Sequence, residues 1–165
     1  GTVYDNQGKY EEAISYYNQS LQIKAEIGDK KGTAETYNNL GVLYKYRKMY
    51  PLALEFLLKA LSIKEEIGDK RGLINTNSNL GSVYARMGNF PKAYAHLNEA
   101  LKYAKMADAK DMIRDNYFMV SETYALQKNY AKAIQAYEQL SLVYPEKKTF
   151  FATRIQKIKE DQHKQ

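Results

Sequence analysis

Apolar and polar residues follow a helical spacing along the chain, and the pattern restarts at a fixed interval, with Gly1, Gly41 and Gly81 in register. From Glu35 to Arg47, and again from Tyr50 to Ile67, apolar residues recur three and four positions apart, which predicts one apolar face on each of two helices. The sequence shows no strand pattern. Each period therefore predicts a helix, a short turn and a second helix, and repetition at this length is typical of a stacked-repeat protein.

The turns repeat as well as the helices. Residues 27–30 and 67–70 both read Ile-Gly-Asp-Lys, so a glycine can end one helix and an aspartate can cap the next. Pro51 and Pro91 take the same place in the period and fit the first turn of a helix. Residues 107–110 lack the glycine, and we expect a looser or differently shaped turn there. The short turns inside the helix pairs are predicted at residues 7–9, 47–49, 87–89 and 127–129.

Small, aromatic and aliphatic residues also recur in register with the 40-residue period. They are Gly1, Tyr4, Ala13, Tyr17 and Ser20 in the first period; Tyr37, Leu40, Gly41, Tyr44, Ala53, Leu57 and Ala60 in the second; Asn77, Leu80, Gly81, Tyr84, Ala93, Leu97 and Ala100 in the third; and Tyr117, Val120, Ser121, Tyr124, Ala133, Tyr137 and Pro145 in the fourth. Over nearly the whole chain this pattern resembles the tetratricopeptide repeat. The small residues would let paired helices approach closely, and stacking of the pairs would bury their apolar faces.

The resemblance implies an all-α fold, a right-handed α-solenoid of tandem antiparallel helix pairs with a C-terminal capping helix. We expect a single domain over residues 1–165, divided into a partial repeat at 1–33, repeats at 34–73, 74–113 and 114–147, and a C-terminal helix at 148–164. The 40-residue period exceeds the minimal repeat and is similar to the longer subgroup found in bacterial signalling regulators and eukaryotic scaffolds. The hydrophobic residues expected to dock the last helix are Phe150, Phe151, Ile155 and Ile158.

The first repeat begins at its glycine position, so we expect its first helix to lack its first turn and a half. We expect the second helix of that pair to show uncovered apolar surface. Gly1 is either native or a cloning remnant.

Composition narrows the chemistry. The chain has no cysteine, which excludes disulfides and cysteine-based metal sites, and no apolar run approaches the length of a membrane span. Of the net charge of +6, half lies in residues 145–165, where six Lys/Arg face three acids. Because the charges are mixed, a solvated terminal helix is the favoured interpretation, and nucleic-acid binding is the alternative.

No catalytic or metal-binding pattern is present in the sequence. The two histidines, His96 and His163, lie far apart and are interpreted as a helix-surface residue and a tail residue. The 16 tyrosines fall mostly on repeat core positions, so packing explains them better than base stacking does. We therefore predict a protein that is not an enzyme and that needs no cofactor and no metal.

The candidate site is the concave groove, which the resemblance assigns to the first helix of each pair. The residues expected on that face are Asn38, Asn39, Val42, Lys45, Tyr46, Asn75, Ser78, Asn79, Ser82, Arg86, Asp115, Phe118, Met119 and Glu122. Asn39 and Asn79 share one position in the period, and a ladder of amides suits an extended peptide backbone. Equally, these side chains could be solvated or could bond to neighbouring helices.

One subtype of the family clamps the C-terminal carboxylate of chaperones with lysine and asparagine. Here the matching positions hold Asn38 and Val42, then Asp115 and Met119. An acid and a thioether stand where cations are needed, which argues against such a clamp. A peptide with both apolar and charged anchors fits the groove better.

These observations predict a non-catalytic scaffold that binds a protein or peptide in its groove. The resemblance places it as the sensing or interaction segment of a larger bacterial signalling or regulatory protein, in a cytoplasmic or periplasmic portion. Two alternatives stay open: homo-oligomerisation through exposed terminal helices, and weak nucleic-acid binding by the basic tail.

Overall fold

The protein is an array of α-helices that run antiparallel in tandem, as the periodicity predicts. The computed structural model describes the backbone of residues 2–163 and the side chains of residues 9–163. The helices are α1 Thr2–Glu26, α2 Lys30–Tyr46, α3 Tyr50–Glu66, α4 Lys70–Arg86, α5 Phe90–Met106, α6 Lys110–Leu126, α7 Tyr130–Val143 and α8 Lys148–His163, with a 3₁₀ turn at Pro145–Lys147 before α8. The prediction of an all-α fold is confirmed.

The chain forms two compact units, which we call unit 1 (residues up to 79) and unit 2 (residues from 80 onward). Unit 1 has its core between α2 and α3. Leu40 of α2 and Ala53, Leu57 and Ala60 of α3 are fully buried. Small residues let the two helix axes approach, so a single leucine from each side fills the space between them. These are the positions that the repeat pattern predicts for the core.

Unit 2 ends in a cluster that joins α7 to α8. Tyr137 and Leu140 of α7 are buried together with Phe151 and Ile158 of α8. The ring of Phe150 is about half exposed, yet it lies 5.6 Å from the ring of Phe118 on α6. The expected docking of the last helix on the last pair is therefore seen in these contacts. Lys164, which the sequence places in this helix, lies outside the described residues.

The turns between repeats close as their residues predict. Gly28 and Gly68 both have a φ of 69°, in the left-handed region that favours glycine. Asp29 and Asp69 then accept hydrogen bonds from the backbone N–H of Gly32 at 2.8 Å and of Gly72 at 2.9 Å. Each aspartate thereby caps its helix.

The expectation of a looser turn at residues 107–110 is wrong. Asp108 takes a φ of 47°, and Ala109 N–H bonds to the Ala104 carbonyl at 3.0 Å, as Asp69 N–H bonds to the Lys64 carbonyl at 3.0 Å. The hydrogen-bond pattern is thus kept, and aspartate is among the few non-glycine residues that tolerate this conformation. What is lost is the side-chain cap, since Ala109 stands at the N-cap of α6.

The predicted turn at residues 7–9 is also wrong, because α1 runs without interruption from Thr2 to Glu26. Gly8 therefore lies inside a helix, whereas Gly88, two periods later, forms a turn with a φ of 76°. The predicted positions Gly1 and Tyr4 lie outside the described side chains. Apolar side chains of α1 are exposed as expected, with Tyr16 63% and Ile23 58% accessible.

Two turns inside the helix pairs place a lysine where glycine would be better suited. Lys48 has a φ of 59°, whereas Gly88 occupies the equivalent turn with a φ of 76°. A left-handed conformation costs a residue with a side chain about 1–2 kcal/mol, partly offset by the entropy that glycine loses on folding. We expect Lys48→Gly to raise the free energy of unfolding by about 0.5–1 kcal/mol, measured by urea denaturation.

The reciprocal change, Gly88→Lys, is the matched control and should lower the free energy of unfolding by a similar amount. A lower urea midpoint for Lys48→Gly would contradict the assignment of strain to this turn.

Candidate functional site

Unit 1 contains a polar cavity of about 360 Å³, which we call the α2–α4 cavity. Its walls come from the first half of α2, the start of α4 and one side chain of α3. The lining residues are Lys31, Glu35, Asn38, Asn39, Lys64, Asp69, Arg71, Gly72 and Asn75. Three of the predicted groove residues, Asn38, Asn39 and Asn75, are thus brought together.

Lys64 is the unusual member of this cavity, because it is a charged side chain only 3% exposed. Its ammonium donates to Thr76 Oγ1 at 2.8 Å and to the Gly72 carbonyl at 3.4 Å. The Thr76 hydroxyl in turn donates to Asn38 Oδ1 at 3.0 Å. These bonds tie α3, α4 and α2 together, so the lysine fixes the geometry of the cavity wall.

Burial lowers the pKa of Lys64 below its ordinary value of 10.5, and the nearby carboxylates of Asp69 and Glu35 oppose that shift. Burial disfavours the charged form because water no longer solvates it. The cavity thus carries cations at Lys31, Lys64 and Arg71, balanced in part by these two acids.

The other groove residues predicted in unit 1 differ in how exposed their side chains are. Lys45 donates to Asn79 Oδ1 at 2.9 Å, which joins α2 to α4. Ser78 is only 8% exposed, and its hydroxyl donates to the Ile74 carbonyl at 2.8 Å, so it offers little surface to a ligand. Val42 is half-buried and Tyr46 is 71% exposed. Among the amides, Asn38 and Asn79 therefore bond to neighbouring helices, whereas Asn39 and Asn75 are exposed.

In unit 2, Asp115 and Phe118 line a second cavity of about 320 Å³. Its other lining residues are Arg114, Lys147, Phe150 and Phe151. Arg114 donates through Nε to Asp115 at 3.0 Å, so that carboxylate is already paired. Cations and aromatic rings together give this cavity an apolar and positively charged character.

Glu122 is half-buried and accepts a hydrogen bond from the Tyr137 hydroxyl. Burial, together with this carboxylate, raises the pKa of Tyr137. Arg154, one of the tail cations, lies over the Phe118 and Phe150 rings at 5.7 Å from each. Met119 and Ser82 are half-buried and Arg86 is exposed.

Within residues 9–163, no group of three or more His, Asp or Glu side chains could hold a metal ion. None of the helices that the structure describes is long and apolar enough to cross a membrane. The two candidate cavities are lined mainly by amides, charged side chains and aromatic rings.

The sequence pattern of the tetratricopeptide repeat matches residues 1–66 and 72–144. The chain belongs to the tetratricopeptide repeat family. Tetratricopeptide repeats generally serve as protein-interaction scaffolds and are typically non-catalytic. No curated protein sequence matches the chain.

Three solved structures share this tetratricopeptide fold. BtubC (BKLC) from P. vanneervenii is 20% identical with a TM-score of 0.69, covering 98% of this chain and 78% of its own. Aspartyl phosphate phosphatase F from Bacillus subtilis is 15% identical with a TM-score of 0.66, covering 94% of this chain and 46% of its own. A kinesin light chain-like protein with nearly identical TPR-like repeats, from Podosopora anserina, is 15% identical with a TM-score of 0.67. The match covers 88% of this chain and 72% of that protein's chain. The chain thus spans less than half of the phosphatase, and at these identities the likeness shows the fold alone.

Sequence reasoning missed Lys64, although the repeat contains a signal for it. Lys24 stands at the same position one period earlier, and its ammonium donates to Thr36 Oγ1 at 2.8 Å in the same way. In this chain, a lysine with a threonine 12 positions later therefore marks a hydrogen bond between two helices in two successive periods.

The buried ammonium predicts a pH dependence. As pH rises toward 10.5, folded Lys64 releases its proton before the unfolded chain does, so the unfolded state binds more protons and stability rises with pH. We expect the difference in unfolding free energy between wild type and Lys64→Met to shift in favour of wild type over that range, measured by urea denaturation at a series of pH values.

Lys59→Met on the same helix is the control. The hydrogen bond to Glu55 raises the pKa of Lys59, so its contribution is lost as pH rises, and any shift should have the opposite sign. A wild-type advantage over Lys64→Met that stays constant or falls with pH would contradict the prediction.

Proposed function

We propose that this chain is a non-catalytic binding module and that its α2–α4 cavity holds an extended segment of a protein partner. The observation that carries the proposal is the convergence of exposed Asn39 and Asn75 on one cavity whose wall is fixed by buried Lys64. A volume of about 360 Å³ falls within the range of ordinary ligand cavities.

The chemistry of the cavity suits a peptide backbone. An amide side chain can donate to a carbonyl and accept from an N–H, so Asn39 and Asn75 can bond main-chain groups without reading a particular side chain. Exposed Lys31 and Arg71 on the rim favour acidic residues in the partner, whereas Glu35 limits how many it accepts.

The 320 Å³ cavity of unit 2 supports a second anchor of different character. Phe118 and Phe150 offer ring surface there, and Lys147 adds a cation. A partner segment with both apolar and charged side chains would match the residues that line either cavity.

The setting is also a proposal. We infer that the chain acts as the sensing or interaction segment of a larger signalling or regulatory protein in a bacterial cytoplasm or periplasm. What supports this setting is the 40-residue period, which is similar to that of the longer tetratricopeptide subgroup found in bacterial signalling regulators.

Peptides selected from a random displayed library against the whole chain test the α2–α4 cavity. Loss of two main-chain hydrogen bonds removes about 1–3 kcal/mol, so we expect the Asn39→Ala/Asn75→Ala variant to bind a selected peptide about tenfold or more weakly by fluorescence anisotropy. Asn98→Ala, at an exposed position of α5, is the matched control and should bind as wild type does. Failure to select any peptide, or equal affinity for the double variant, would contradict the proposal.

Self-association is a second candidate, favoured by exposed apolar residues in the first helix and just after it. Tyr16 and Ile23 of α1, and Ile27 in the turn that follows, are each more than half accessible. Burying such a surface against a second copy would be favourable. We expect light scattering to show a mass that rises with concentration and a weaker rise for Ile23→Lys; a constant monomer mass would rule this candidate out.

A further inference from the structure

A cavity of about 650 Å³ lies between α6 and α7 in unit 2; we call it the α6–α7 cavity. Tyr117, Val120 and Tyr124 of α6 form one wall, and Ala136 and Leu140 of α7 form the other. It is mainly apolar, and it shares no lining residue with the two cavities described above.

The repeat itself shows what this space is shaped to hold. Ala136 stands one period after His96 and two periods after Phe56, at the same position in the repeat. The ring of Phe56 stacks on Tyr44 with centroids 5.4 Å apart and an angle of 8° between the planes. The ring of His96 stacks on Tyr84 at the same 5.4 Å and 8°. Two repeats therefore place a flat ring in one and the same geometry.

The fourth repeat keeps the tyrosines of this arrangement and lacks the ring. Phe56 also contacts Tyr37 at 6.0 Å, and Tyr37 and Tyr44 correspond to Tyr117 and Tyr124. Both of these tyrosines line the α6–α7 cavity, where Ala136 contributes only a methyl group. The cavity thus lies where the second repeat places its phenyl group.

We propose that the α6–α7 cavity binds an aromatic side chain of a protein partner, which stacks on Tyr124 as Phe56 stacks on Tyr44. Offset-stacked aromatic pairs are favourable beyond the apolar area that they bury. The site lies wholly within unit 2, so binding here does not depend on whether the α2–α4 cavity binds a partner.

The size and charge of the site favour a polypeptide segment as the source of the ring. A cavity of about 150 Å³ is enough to hold a benzene molecule, so 650 Å³ leaves room for the residues that flank the ring. Lys132 lies over the Tyr124 ring at 5.6 Å and Lys105 over the Tyr117 ring at 5.5 Å. Cations beside both tyrosines favour a segment with acidic residues next to its aromatic side chain.

The absence of tryptophan from the chain allows a direct measurement. The probe is an acetylated and amidated tripeptide with tryptophan between two aspartates, titrated with the full chain while its fluorescence is followed. We expect saturable binding with a shift of the emission to shorter wavelength. Ala136→Phe should weaken that binding about tenfold or more, because the protein's own ring would fill the space as Phe56 does.

Three comparisons decide the outcome. Ala95→Phe, which adds the same ring at an exposed position of α5, should bind the probe as wild type does, and circular dichroism should show both variants folded. Equal binding by Ala136→Phe and wild type, or no binding by wild type, would overturn the proposal. N-acetyl-tryptophanamide that binds as tightly as the tripeptide would overturn the assignment to a partner segment, because the flanking acids would then contribute nothing.

Discussion

The packing of the second and third repeats depends on how closely the two helices of the pair approach at one glycine. A Cβ added to Gly41 would lie 2.5 Å from Leu57 Cγ and 3.1 Å from the Ala53 carbonyl oxygen. At Gly81 the corresponding distances to Leu97 and Ala93 are 2.6 and 3.1 Å. Because a backbone atom as well as a side chain limits the space, a rotamer change alone could not admit a larger residue. The buried leucine and alanine positions around each glycine follow from that approach.

The fourth repeat shows what changes when the glycine is replaced. Ser121 stands in its place, fully buried, and its hydroxyl donates to the Tyr117 carbonyl at 2.9 Å. Opposite it, Tyr137 replaces the leucine and sends its hydroxyl to Glu122. The ring of Phe151 from α8 then lies 6.1 Å from that of Tyr137. The helix pair α6–α7 is therefore packed by aromatic rings and polar hydrogen bonds, whereas the second and third repeats pack a leucine against a glycine. Helix α8 contributes the ring of Phe151 to this packing.

Features fixed by neighbouring residues could be predicted from the sequence, and features fixed by distant ones could not. The glycine ends and aspartate caps at residues 28–29 and 68–69 are local, so the pattern alone predicts them. The continuity of α1 through Gly8 has no such local signal, because Gly88 takes the equivalent place in a turn. The burial of Lys64 depends on Thr76 from another helix. For the groove amides the sequence left ligand binding, solvation and bonds to neighbouring helices open, and the structure shows bonds to neighbouring helices for Asn38 and Asn79.

A repeat protein separates the residues that hold the array from those that distinguish its surfaces. Ala53, Ala93 and Ala133 share one position in the second, third and fourth repeats and are fully buried, so they serve packing and cannot contact a ligand. The repeats differ where one of them lacks a type of residue that the others have. Ala136 is an example, because the two preceding repeats have the rings of Phe56 and His96 at this position. Since the surrounding tyrosines persist, the loss of the ring removes packing energy without removing the surface that the ring would contact. A residue from another molecule can recover that energy, and this makes a departure from the repeat a better guide to binding than the repeat itself.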